Sequence, residues 1–271
     1  MDVTSEFLKR VFSHANLKEN YLKMLTENPE SLRIFQAAFT SKTVDPENNY
    51  ELYEFIGDLE ANNAIVWYFY ESFPQLRCTK SVKIFNRLKI VYVSNESFSE
   101  IADSLGFWPY IKYDRDNDKE NKTREALLED VFEAFVGATK IILTNEFGMV
   151  GVANQIIYNF IKPIFDKKEI SFDPENLYDA KTRLKELFDN RTDANPIFVK
   201  YGNPKYEELS NTETVLYFVK DKRLKFHGEG RTKQAREKNA AQKALEHLKS
   251  QGYKIEKQFV PFCAAFFSRA C

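Results

Sequence analysis

Apolar residues recur at intervals of three and four through most of the first 165 positions, as in L-R-I-F-Q-A-A-F (32–39) and A-N-N-A-I-V-W-Y-F-Y (61–70). That period is the α-helix's, and it places the apolar residues on one face. Two polar stretches interrupt it. K-T-V-D-P-E-N-N (42–49) carries Asp45 and Pro46, which predict a turn. Y-D-R-D-N-D-K-E-N-K-T-R-E (113–125) predicts a charged loop. After D-K-K-E-I-S-F-D-P-E-N-L-Y (166–178), which reads as a linker, the pattern changes. D-A-K-T-R-L-K-E-L-F-D-N-R (179–191) predicts an amphipathic helix. P-I-F-V-K-Y, T-V-L-Y-F-V-K and R-L-K-F-H-G-E-G, rich in β-branched and aromatic residues, predict strands. A long helix over 232–248 closes the series. The pattern thus predicts an all-α domain over 1–165, then a small α+β domain, α-β-β-β-α, over 179–250. An apolar extension follows at 251–271.

Two short stretches depart from simple amphipathic helices. In Y-E-L-Y-E-F-I-G-D (50–58), Glu51, Glu54 and Asp58 stand at i, i+3 and i+7. In L-E-D-V-F-E-A-F-V-G (128–137), Asp130 and Glu133 stand at i and i+3. Each set shares one helical face and is flanked by large apolar residues, Leu52, Phe55, Ile56 and Leu59 in the first, Val131, Phe132, Phe135 and Val136 in the second. Carboxylates among apolar neighbours are costly unless a positive charge compensates them. Two such helices, with Gly57 and Gly137 permitting close approach, would build an all-oxygen pocket of the kind Mg²⁺ takes. On pattern alone, the same acids are equally the solvated stripes of two surface helices.

The motifs resemble those of the ribonuclease III family. N-Y-E-L-Y-E-F-I-G-D is similar to that family's signature, and D-V-F-E-A-F-V-G-A to its second acidic motif. Residues 83–107 resemble the segment between them, and order and spacing agree. G-E-G-R-T-K…A-A-Q-K-A-L resembles the end of a double-stranded-RNA-binding domain, which reads A-form RNA by shape across its minor grooves. The resemblance implies a metal-dependent endoribonuclease for double-stranded RNA. Glu54, Asp58, Asp130 and Glu133 would bind Mg²⁺, with Mn²⁺ able to substitute; Asp58 and Glu133 would be catalytic, and Glu51 would assist. Products would carry 5′-phosphate and 3′-hydroxyl ends with short 3′ overhangs. One nuclease domain per chain implies a homodimer, with Phe55 as a contact or as plain core packing. In the second domain Lys233 should meet phosphate, with Arg231, Arg236 and Lys238 as helpers and Glu186 at a 2′-hydroxyl.

Several positions leave the family pattern. Leu52 and Tyr53 replace an arginine and a leucine, and Ser41 stands where a histidine is usual. Gln234 replaces one lysine of a pair, and Arg236 a small alanine. The usual histidine between the first two strands is missing, and Lys205 is the substitute phosphate contact. These changes predict weaker RNA binding with the metal carboxylates intact. The alternative is a catalytically silent relative on the same fold: a duplex-RNA binder, a suppressor of RNA silencing or a ribosome-associated protein.

Composition limits the field further. Residues 179–250 hold 16 Lys/Arg against 11 Asp/Glu, while the whole chain nets −1. An acidic body with a basic module suits a polyanionic partner. Cys78, Cys263 and Cys271 are too few for a disulfide framework, and the three histidines are not at zinc-ligand spacing. No run is apolar enough to span a bilayer, and the first ten residues lack a signal peptide's apolar core. The expected setting is intracellular and cytoplasmic, a host's cytoplasm if the gene is viral. Abundant Asn, Lys, Phe and Tyr hint at an AT-rich genome, such as that of a large DNA virus.

Overall fold

In the computed structural model, residues 1–114, 122–189 and 195–255 are described; the extension from 256 onward and the centre of the charged 113–125 loop lie outside them. The chain divides into two compact units, the first spanning Met1–Glu169 and the second beginning at Ile170.

The first unit is helical: α1 (Ser5–Phe12), α2 (Glu19–Glu27), α3 (Pro29–Ala38), α4 (Glu51–Ser72), α5 (Val82–Tyr92), α6 (Asn95–Ser104), α7 (Arg124–Phe147) and α8 (Val150–Phe165). Local signals start several of these helices. Thr4, Asn28, Ser94 and Thr123 each accept a backbone N–H at an N-cap, and Pro29 opens α3. The expected turn before α4 is an Asx turn, with Asp45 Oδ1 accepting the N–H groups of Glu47 and Asn48 at 3.0 and 2.9 Å.

Helix α7 runs through the middle of this unit. Its buried residues lie on all sides, from Leu127 to Leu143. A helix surrounded in this way has no continuous solvated stripe over its middle turns, so Asp130 and Glu133 there are buried acids. Phe135 is the hub of the core, within 5.1–5.3 Å, ring to ring, of Phe12, Phe35, Phe107 and Phe160. Those rings arrive from α1, α3, the segment after α6, and α8. The packing fixes the rotation of α7 about its axis, and with it the direction of Asp130 and Glu133.

The second unit holds α9 (Pro174–Leu177), α10 (Ala180–Asp189), α11 (Pro196–Tyr201), β1 (Pro204–Glu208), β2 (Glu213–Phe218), β3 (Asp221–Glu229) and α12 (Lys233–Ser250). The sheet is antiparallel in the order β1-β2-β3, with Leu216 opposite Tyr206 on one side and Phe226 on the other. Leu184 and Phe188 of α10, Leu216, Phe218 and Phe226 of the sheet, and Ala240, Ala244 and Leu248 of α12 close one core. This is the expected α-β-β-β-α layout, with one element corrected. P-I-F-V-K-Y is not a strand. Asn195 Oδ1 caps the N–H groups of Ile197 and Phe198, Pro196 takes the first helical position, and Gly202 at φ 66° ends the turn. Capping overrides the strand propensity of Ile, Phe, Val and Tyr. The first strand is instead P-K-Y-E-E, and Lys205 lies within it, opposite Tyr217, not in the β1–β2 connection.

Candidate active site

Helices α4 and α7 touch backbone to backbone. A Cβ on Gly57 would overlap the carbonyl of Glu133, and one on Gly137 would overlap the carbonyl of Tyr53. The two glycines are therefore reciprocal: each removes the side chain that would hold the other helix away. At this crossing Glu54 and Asp58 on α4 stand near Glu129, Asp130 and Glu133 on α7.

The acids are not equally buried. Asp130 and Glu133 are 6% and 8% exposed. Glu54, Asp58 and Glu129 are half-buried. Glu51 is exposed at the rim, bound to Lys42 Nζ at 2.8 Å. Leu52, Phe55 and Leu59 were expected to wall in the acids, but they face solvent, 63%, 70% and 59% exposed. The low-dielectric surroundings come from α7 instead.

Burial sets the protonation of the cluster. Glu133 is pushed up to about 9, by burial first and then by the charges of Asp58, Glu129, Glu54 and Asp130. Glu54 rises to about 7 through burial, then Asp130. Glu129 rises to about 7 for the same two reasons, with Glu54 and Asp58 adding to them. The neighbouring acids raise Glu54, Glu129 and Glu133 because like charges in a poorly solvated place disfavour ionisation.

Among the described residues, Lys122 is the cation bonded directly to the cluster. Lys122 Nζ bonds Asp130 Oδ2 at 2.7 Å and Tyr50 Oη at 3.4 Å. Burial alone would lower Lys122, but the hydrogen bond and charge of Asp130 outweigh it and hold the ammonium well above its ordinary value. Tyr50 is pushed up by burial and then by Asp130. Lys122 lowers Glu54 and Glu129 but does not offset the burial and the neighbouring acids that raise them.

The donor set fits a hard divalent cation. It is all oxygen, poorly solvated and short of positive charge. Asn62 gives a second sign. Its Nδ2 donates to the Asp58 carbonyl at 2.7 Å and to Asp58 Oδ1 at 2.6 Å. Its own Oδ1 is buried without a donor, so an unpaired acceptor sits beside a site carboxylate, where a cation or its water shell would satisfy it. Among the described residues, no three acidic, histidine or cysteine side chains already stand in a metal-holding arrangement.

Spacing foretold Glu54, Asp58, Asp130 and Glu133 on facing helices. It missed Glu129, although Glu129 and Glu133 are i and i+4 on α7. Counting a single face from Asp130 left its neighbour out.

The sequence-predicted RNA contacts gather in the second unit. Arg231, Lys233, Lys238 and Lys205 are exposed, and Glu186 is half-buried on α10. Lys233 Nζ is held by Glu208 Oε1 of β1 at 2.6 Å. Arg236 departs from the expected role. It is buried, and its guanidinium donates to Asn211 O at 2.6 Å and Thr214 Oγ1 at 3.3 Å, fastening the β1–β2 turn to α12. Among the described residues no helix is long and apolar enough to cross a membrane.

A profile described as the ribonuclease III domain matches residues 51–141, the span that contains both acidic motifs. A putative ribonuclease 3 of Frog virus 3 is 37% identical over 88% of this chain, which spans 61% of that relative's length. A putative ribonuclease 3 of Invertebrate iridescent virus 6 is 34% identical, covering 91% of this chain and 88% of its own. A ribonuclease 3 of Lactobacillus acidophilus is 31% identical, covering 90% of this chain and 98% of its own.

Proposed function

We propose that this chain, which belongs to the ribonuclease III family, is a Mg²⁺-dependent endoribonuclease that cuts double-stranded RNA. The observation that carries the reading is the α4–α7 crossing, which holds acids from two helices around one poorly solvated volume. Glu54, Asp58, Asp130 and Glu133 would hold the ion, and Mn²⁺ would substitute. The bound ion supplies an activated water and screens the charge that develops on the phosphodiester.

The chain's own residues do the rest. Asp58, oriented by Asn62, and Glu133, positioned by the packing of Phe135, are the groups nearest the chemistry. Glu51 assists from the rim, where its exposure lets it order water. The α7 backbone excludes solvent from one side of the site. The second unit offers Arg231, Lys233, Lys238 and Lys205 to phosphates and Glu186 to a 2′-hydroxyl, which separates RNA from DNA.

Leu52, Phe55 and Leu59 form an exposed apolar stripe at i, i+3 and i+7 along α4, directly beside the acids. Such a stripe on a surface helix is suited to a second copy of the same helix. A homodimer through it would bring two sites to one duplex, one for each strand. The cuts would leave 5′-phosphate and 3′-hydroxyl ends with short 3′ overhangs.

Digestion of a long duplex RNA in Mg²⁺, followed by end analysis, tests the proposal. Fragments accepted by a 5′-phosphate-dependent ligase, with 3′ overhangs, are expected, and duplex DNA should stay intact. Uncut RNA after prolonged incubation with either metal would favour a silent RNA-binding relative.

A further inference from the structure

The ion pair between Lys122 and Asp130 has a geometry unlike that of the pair made by the buried Lys140. Lys140 is on α7 itself, buried, bound to Glu60 at 2.9 Å and to Asn154. Its backbone is in the middle of a helix, so its position is fixed. Lys122 precedes the N-cap Thr123, so its backbone is outside the helix and can move without breaking a helical hydrogen bond. Its side chain is 26% exposed and opens toward solvent, while its partner Asp130 is 8% exposed. The ammonium also sits 5.5 Å from the centre of the buried Tyr50 ring, whose face gives it a second resting contact.

We propose that Lys122 is the internal stand-in for the metal: its ammonium occupies Asp130 Oδ2 in the metal-free protein and leaves when a divalent ion takes that oxygen. The proposal rests on the reading of the α4–α7 cluster as a metal site. Without any cation, Asp130 would be a buried charge among four other acids, which is costly. Lys122 offsets that cost while the site waits. A divalent ion brings twice the charge to the same oxygen, and ammonium and ion cannot share it. Displaced by a rotation of its stem, Lys122 remains tethered at the mouth of the site, where its charge meets the phosphate of an incoming RNA strand. It is a positioning residue, holding the metal's place and then moving out of it.

Mn²⁺ titration of the full chain, by calorimetry and by thermal melting, tests this. In Lys122→Met the stem is kept and the charge is lost. The metal-free variant should melt lower than wild type. It should bind Mn²⁺ more tightly, on the order of tenfold, because the competitor is gone. The melting-temperature rise on adding Mn²⁺ should also exceed that of wild type. A purely structural role for the lysine predicts lower stability with unchanged or weaker Mn²⁺ binding, and that result overturns the proposal. Lys42→Met, which removes a lysine held at the rim by Glu51, is the control. Equal tightening there would mean general attraction rather than exchange, and also overturns it. Amine acylation read by mass spectrometry gives an independent check: Lys122 should react faster once Mn²⁺ is added, and unchanged reactivity contradicts exchange. Wild-type protein that binds no Mn²⁺ would instead sink the metal-site reading itself.

Discussion

Glu133 shows what a single residue must do here. Its carboxyl is raised from 4.5 to about 9 by burial and by its acidic neighbours. Between those values the folded chain keeps a proton that the unfolded chain has already released. Folding stability of the metal-free protein therefore falls as pH rises through that window, and levels off above it. Glu54 and Glu129, raised to about 7, add to the lower part of the same slope. A divalent ion favours the ionised forms, so binding it should expel protons and flatten the slope. Melting curves from about pH 5 to pH 9, with and without Mg²⁺, check this. A metal-free protein that gains stability over this range contradicts it, and Glu133→Gln should make the slope shallower. The placement of Glu54, Asp58, Asp130 and Glu133 on facing helices was legible because helical spacing is fixed by geometry. Glu129 and Lys122 were harder to read, since their part in the cluster depends on where α4 passes. Arg236 was misjudged for a related reason: a charged residue in a basic helix reads as a surface contact, and only packing reveals the carbonyl of Asn211 it serves.

At the level of elements, the crossing of α4 and α7 depends on two missing side chains. Gly57→Ala would press a methyl into the Glu133 carbonyl, and Gly137→Ala into that of Tyr53. Neither obstacle is a flexible side chain, so one helix must shift. Each substitution should destabilise the first unit by roughly 1–3 kcal/mol or more and separate the acids. Thermal melting and Mn²⁺ binding would both register the change, and an alanine variant with normal values for both would contradict the backbone contact. The glycines were visible in the motifs, and their reciprocity was suggested by the pairing of the two stretches. The exposed face of α4 was foreseen only at Phe55, named as a dimer contact or as core packing. Leu52 and Leu59 look like core in sequence, because apolar residues beside acids suggest enclosure. The error at α11 has a different origin: Asn195 and Pro196 precede the segment as start signals, but its β-branched and aromatic content was given more weight.

At the scale of the whole molecule, the proposed function would divide the labour between two units, the first cutting and the second holding. Lys233, already engaged by Glu208, should be a modest grip. Lys233→Ala should weaken binding to unrelated duplexes by a similar factor and reduce the salt dependence by about one unit of slope. Glu208→Gln should act in the opposite direction, freeing the lysine and steepening that slope; gel shifts at several salt concentrations would reveal both. The stripe on α4 predicts a dimer without RNA, and Phe55→Glu should drive it to monomers in light scattering. A wild-type monomer at micromolar concentration would contradict the shared-helix interface. The most direct test of the central claim is a side-by-side digestion of long duplex RNA by wild type and Glu133→Gln, with Mg²⁺ or with EDTA. Cleavage by wild type in Mg²⁺ alone is the predicted result, with EDTA or the substitution lowering the rate by ~100-fold or more while gel-shift affinity stays nearly unchanged. Equal cleavage by the two proteins, or cleavage that persists in EDTA, would contradict a metal centre at the crossing of α4 and α7.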